Sequence, residues 1–328
     1  MELLRILSTL IVLLFSTLIH SHSDTNSNQG IAFVHGTRDH REDAYGGYWK
    51  IDFIQSISQT LAKPENHYVV HCDFSQYMWH EDAANCVANQ LLEFINDKNV
   101  SSLTVYTHSD GANIMRWILS NPTYDGRYMT LKRKISQVIA IAPSSGGTPL
   151  ADEVLNGGIF ETSLAWLLGY LSDAVKQQRV GDMLIYNEEL LLGSKGRPSL
   201  SIPFKVIVGT DVYASPFSTS SYCNGYMLNS GLKIAKLYLN QCADGFLDCE
   251  SQAQAGEVWF YDIDKTDYNL PLSHNQSRHS CFGLDQILIS ALVNEGVVNE
   301  NCPPYMDIRI LYCPSSCVYI TKTTNQIL

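Results

Sequence analysis

Short apolar runs alternate with helically spaced segments from Gly30 to Glu295, and this rhythm predicts an α/β protein with one mostly parallel sheet covered on both faces. Composition agrees. Of 328 residues, 45% are hydrophobic and 17% charged, which is ordinary globular usage and excludes a disordered or fibrous chain. The apolar runs are also continuous rather than alternating, as strands buried on both faces require.

Taken in order, Ile31 to Val34 is a first strand ending at His35-Gly36, and Trp49 to Leu61 carries a helical stripe of Ile51, Phe53, Ile54, Ile57 and Leu61, stopped by Pro64. His67 to Cys72 reads as a second strand, Glu81 to Ile95 as a helix, and Leu103 to Tyr106 as a third strand leading into a helix from Ala112 to Leu119. Val138 to Ala142, Phe204 to Val208 and Val258 to Tyr261 complete six strands, with a closing helix from Gly283 to Leu292. Two or three helical segments between Asn156 and Arg197 break the rhythm, where a cap would be inserted at about 153–200.

The chain ends differ in kind. Residues 1–23 read as a secretory signal: Arg5 supplies a positive start, Ile6 to Ile19 an apolar stretch too short to span a bilayer, and Ser21-His22-Ser23 the small residues of a cleavage point. A domain over 24–300 and a tail over 301–328, tied by Cys302, Cys313 and Cys317, are expected. Nine cysteines without a Cys-x-x-Cys pair argue for disulfides in an oxidising compartment, secreted or periplasmic, over zinc. Cys72–Cys86 and Cys242–Cys249 are the expected short loops, and the odd number leaves one thiol free or paired between chains. Asn99 and Asn275 begin glycosylation sequons. A net charge of −11 speaks against nucleic acid and anionic membranes as partners. No Walker loop, dinucleotide fingerprint or zinc-protease helix occurs, so no cofactor or catalytic metal is implied.

The chemistry concentrates at Val105-Tyr106-Thr107-His108-Ser109-Asp110-Gly111-Ala112-Asn113. A strand running into a helix through a turn with small residues flanking a serine holds that serine in strained backbone geometry, its hydroxyl above the strand ends at a helix N-terminus. Ser109 is the candidate nucleophile. An oxyanion hole needs two converging N–H groups, one expected from Asp110 and the other from Thr37, just past His35-Gly36.

Three stretches carry a resemblance: Val34-His35-Gly36, the turn at Ser109, and Ala142-Pro143-Ser144-Ser145-Gly146-Gly147-Thr148-Pro149 running on to Asp152. Over about residues 30–295 the chain resembles the α/β-hydrolases, and among them the secreted bacterial-type lipases and esterases. The resemblance implies a carboxylic ester hydrolase acting on ester or lipid substrates through an acyl-enzyme, with the acid and the histidine downstream of the serine in that order. The Asp244-Gly245 loop is similar to the one that carries the acid in lipases, with Asp211 and Asp248 as rivals; His274, with His279 as its rival, is the base. The sequence departs from the pattern at Thr107, at Ser144-Ser145, and at Asp110, whose carboxylate is expected to point away from the hole. A structural calcium ion, found in some similar lipases, stays open.

Phe160, Leu164, Trp166, Leu167, Leu168, Tyr170 and Leu171 form either an acyl-binding wall or a buried cap helix. Tyr68, Tyr77, Met78, Trp79 and His80 are expected in the core rather than at a pocket mouth, and Arg38 to Asp43 in a solvated loop. An acyltransferase or serine peptidase of the same fold is the enzymatic alternative, and a secreted binding protein without turnover the non-enzymatic one.

Overall fold

The computed structural model describes residues 28–157, 172–214, 223 and 226–294. The signal at 1–23, the tail at 301–328 and the aromatic cap residues from Phe160 to Leu171 lie outside the described residues.

The expected sheet is present. Strands β1 (Gln29–Val34), β3 (His67–Val69), β5 (Ser102–His108), β6 (Ile135–Ile141), β7 (Phe204–Val208) and β8 (Glu257–Tyr261) pair in the order β3-β1-β5-β6-β7-β8, every pair parallel. The long strands β5 and β6 sit at the centre, and their carboxyl ends carry the loops of interest. Successive side chains leave a strand on opposite faces, and here both faces find an apolar cover. Ala32, Val34, Val105, Val138 and Val206 pack with α2 (Cys86–Asp97) and α3 (Gly111–Ser120) through Val87, Leu91, Ile114 and Ile118. Ile31, Phe33, Tyr106, Ile139 and Ile207 pack on the other face with α1 (Ile51–Ser58) and α10 (Leu284–Asn294), through Phe53, Ile54, Ile57, Leu284 and Leu288.

Three elements lacked a clear periodic signal in the sequence: α4 (Gly126–Lys132), α5 (Pro149–Leu155) and α8 (Tyr226–Ala235). The first two open at side-chain caps, Asp125 accepting from the Arg127 N–H and Thr148 from the Leu150 N–H, so capping rather than a long apolar stripe starts them. The segment Glu81–Asn85, expected to open α2, is instead a wide π turn. After residue 171 the chain returns through α6 (Asp173–Gln177) and α7 (Val180–Glu189). A third apolar cluster, with Leu150, Val154, Val175, Val212, Leu232, Phe246 and Leu247, roofs the strand ends.

Arg38–Asp39 (β2) pairs antiparallel with Asp73–Phe74 (β4), and the run at 38–43 is solvent-exposed as expected except at His40. That pairing folds the run over the strand ends, leaving His40 buried although Arg41 and Asp39 remain outside. Tyr68, Met78 and Trp79 do pack in the core, whereas Tyr77 and His80 are only half-buried, His80 capping the turn at Glu81 by accepting from the Asp82 N–H.

Disulfides join Cys72 to Cys86 and Cys242 to Cys249 as expected, and a third joins Cys223 to Cys281, 58 residues apart. The third pair had no local signature, because only the folded chain brings those segments together.

Candidate active site

Ser109 stands on the sharp turn between β5 and α3, with φ +54°, a left-handed conformation that costs a non-glycine residue about 1–2 kcal/mol. Close packing holds it there. A Cβ on Gly111 would collide with the carbonyl of His35, and one on Gly36 would lie 2.8 Å from the Ser109 Cβ. The two glycines thus let the β1 loop approach the serine backbone to backbone. The Ser109 N–H donates to the Ile141 carbonyl at 3.2 Å, and the Ser109 carbonyl accepts from the Ser144 N–H at 3.4 Å. The Ala142–Thr148 stretch is therefore the wall beside the turn.

Asp244 is fully buried and reaches the strand ends by a long detour. The chain leaves β7, passes through α8 and returns so that the Ala243 N–H donates to the Thr210 carbonyl at 3.0 Å. Asp244 Oδ1 accepts from the N–H groups of Phe246 (2.9 Å) and Leu247 (2.7 Å), which fixes the carboxylate and leaves Oδ2 for His274 Nδ1 at 2.7 Å. The His274 N–H also donates to the Asp244 carbonyl at 2.9 Å, and the imidazole stacks on Phe246 with centroids 4.7 Å apart. Backbone, carboxylate and ring face therefore all orient this histidine.

The rivals stand elsewhere. Asp211 is exposed and paired with Lys236 at 2.5 Å, and Asp248 accepts from the Asn240 N–H at 2.7 Å just before α9 (Cys249–Gln252). His279 is buried with neither ring nitrogen bonded among the described residues, and burial pulls its pKa down to about 2. Ser109, His274 and Thr37 line one cleft of about 210 Å³, and His279 is not among the lining residues. Leu228, Leu232 and Phe246 form the apolar side of this cleft; Arg38, His40, Asp43, Asn275 and Arg278 form the polar side. Asn275 is buried and its Oδ1 accepts from Arg278 at 2.7 Å, so this sequon is not a surface acceptor.

Neither Thr37 nor Asp110 has its backbone N–H bonded to another backbone carbonyl among the described residues. The Asp110 carboxylate is engaged: Oδ1 accepts from Asn113 Nδ2 at 3.0 Å, and both oxygens accept from Gln177 Nε2, at 3.1 and 2.9 Å. Burial pushes its pKa up to about 6, against the pull of these amides. The fully buried Arg116 donates to Asn113 Oδ1 at 3.4 Å, to Asn187 Oδ1 at 2.9 Å and to the Leu192 carbonyl at 3.1 Å. Asn113 thereby relays between a buried cation and a buried anion.

Three supporting residues were not legible in the sequence. His108 Nδ1 accepts from the Tyr48 hydroxyl at 2.5 Å while Nε2 donates to the His274 carbonyl at 2.9 Å. Burial holds the His108 pKa well below its ordinary value, so the ring is neutral and this tautomer satisfies both neighbours. Asp262 accepts from the N–H groups of Thr210 and Leu272, clamping the end of β7 to the segment before His274. Tyr48 and His108 meet across 60 residues, and Asp262 reaches Thr210 across 52; no local motif announces such pairs. Among the described residues no cluster of three His, Cys, Asp or Glu side chains is arranged to hold a metal ion, and no helix is long and apolar enough to cross a membrane.

No family model matches the sequence, and no curated protein matches it. In fold the chain is similar to a Bacillus licheniformis lipase in its mature form, with TM-score 0.58 and 16% identity over 84% of this chain and 94% of that one. It is similar also to a lipase from Pelosinus fermentans, with TM-score 0.51 and 13% identity over 83% of this chain and 100% of that one. A metagenomic carboxyl esterase gives TM-score 0.50 and 13% identity over 84% and 77%. The fold is that of the α/β-hydrolases.

Proposed function

We propose that a chain with this fold and this cleft is a serine hydrolase of carboxylic esters, exported to an oxidising compartment, in which Ser109 is the nucleophile, His274 the general base and Asp244 the residue that orients it. The observation carrying the proposal is a strained serine at the strand–helix turn sharing one cleft with a histidine whose Nδ1 is bound, at 2.7 Å, to a fully buried carboxylate. The carboxylate fixes the proton on Nδ1 and leaves Nε2 to take the Ser109 proton. The serine Oγ attacks the ester carbonyl, and the N–H groups of Thr37 and Asp110 receive the oxyanion. His274 then protonates the leaving alcohol, and water repeats the sequence on the acyl-enzyme. Engagement of the Asp110 carboxylate by Asn113 and Gln177 keeps its charge in hydrogen bonds of its own, which supports turnover over a binding protein that only keeps the fold. The three disulfides support an oxidising compartment, and the lipase and esterase neighbours support an ester or lipid substrate.

Labelling of the purified protein with a fluorophosphonate probe, with a panel of p-nitrophenyl esters alongside, tests the reading. Labelling is expected in the wild type and lost in Ser109→Ala and His274→Ala. A folded wild type that neither labels nor cleaves any ester would leave a binding protein with this fold.

A further inference from the structure

Two adjacent glutamines on the chain returning from the cap touch both residues assigned to the oxyanion hole. Gln178 Nε2 donates to Thr37 Oγ1 at 2.7 Å. Gln177 Nε2 donates to both oxygens of that carboxylate, while its Oε1 accepts from the Met78 N–H at 2.8 Å. Both side chains are buried, and the Gln178 backbone is itself fixed, its carbonyl accepting from the Thr148 N–H at 2.8 Å. Gln178 Oε1 is buried with no partner among the described residues.

Thr37 follows β1 and Asp110 follows β5, so the two N–H groups sit on separate loops. An oxyanion hole works only when its donors lie about 2.7–3.1 Å from one point, and misplacement by about 1 Å costs on the order of a hundredfold in rate. Resting on the hydrolase reading above, we infer that Gln177 and Gln178 are positioning residues of the oxyanion hole, a pair of amides by which the C-terminal end of α6 sets the spacing between Thr37 and Asp110. The hole is then completed from α6, and any shift of that helix moves its donors.

The test is steady-state kinetics on a p-nitrophenyl ester with Gln177→Met and Gln178→Met, which keep the side-chain shape and remove the donor. Each should lower kcat about tenfold or more with KM within about threefold, since the oxyanion interaction is made in the transition state. In a Thr37→Val background the effect of Gln178→Met should shrink to near nothing, which a double-mutant cycle reads directly. A kcat equal to wild type, or a raised KM with kcat unchanged, overturns the inference, the latter outcome assigning the pair to substrate binding. If a Met variant does not fold, Gln→Glu at the same position replaces it; failure of both to fold assigns the pair to holding the domain together and also overturns the inference. The hydrolase reading fails separately, in a wild type that neither labels at Ser109 nor cleaves esters.

Discussion

His274 and His279 lie five residues apart, and their surroundings give them opposite roles. His274 has a carboxylate on Nδ1 and borders the cleft; His279 has no hydrogen-bond partner among the described residues and does not line it. Asp244→Asn is accordingly expected to leave the fold intact and to lower kcat by about 10³–10⁴, because the amide cannot fix the His274 tautomer; single-turnover rates against wild type measure this. His279 predicts the reverse pattern. A buried polar ring without partners costs about 1–3 kcal/mol, so His279→Leu should raise stability by on the order of 1 kcal/mol and keep esterase activity. Urea midpoints at constant m-value, with kcat alongside, check both halves.

At the level of elements, the turn at Ser109 depends on two glycines that belong to different loops. A Cβ at Gly111 would strike the His35 carbonyl, a backbone atom with no room to move, so Gly111→Ala should separate the β1 loop from α3 and abolish fluorophosphonate labelling. Far-UV circular dichroism distinguishes that local loss from global unfolding. The disulfides differ by what they enclose. Cys242–Cys249, separated by 7 residues, closes the loop that carries Asp244, and its removal as Cys242→Ser with Cys249→Ser is expected to cost about 2–3 kcal/mol and to lower kcat by loosening the acid. Cys223–Cys281 spans 58 residues and ties the segment before α8 to the turn before α10; its loss should cost about 4 kcal/mol on the same chain-entropy argument. Thermal midpoints of the two double variants rank them.

Across the molecule, buried titratable groups set the response to acid. His35, His108 and His279 are buried and neutral, each with its pKa lowered chiefly by burial. A depressed folded-state value contributes stability that is present above about 6.5 and is lost progressively as pH falls below it. Asp110 and Asp262 act in the other direction: burial raises both to about 6, so their contribution is present below the ordinary value of 3.8 and is lost as pH rises through 6. Three histidines, one of them shifted to about 2, outweigh two carboxyls shifted to about 6. Thermal midpoints should therefore fall between pH 6.5 and pH 4, with a shallower slope in His279→Leu. A flat or rising midpoint over that range would reject the assignment of neutral buried histidines.

Part of this molecule is written in local pattern along the chain. Six strands followed from continuous apolar runs, the nucleophile candidate from small residues around a strand-to-helix serine, and two short disulfides from proximity along the chain. The folded chain alone decided everything that depends on distant segments meeting. It brought Asp244, rather than Asp211 next to the strand end, to His274; it paired Cys223 with Cys281; and it folded the charged run at 38–43 over the cleft. It also laid Gln177 and Gln178 against residues 67 and 141 positions earlier. The physical reason is that periodicity and propensity are properties of neighbours in sequence, whereas a hydrogen bond to a buried carboxylate is satisfied by whichever donor the packing of separate elements delivers.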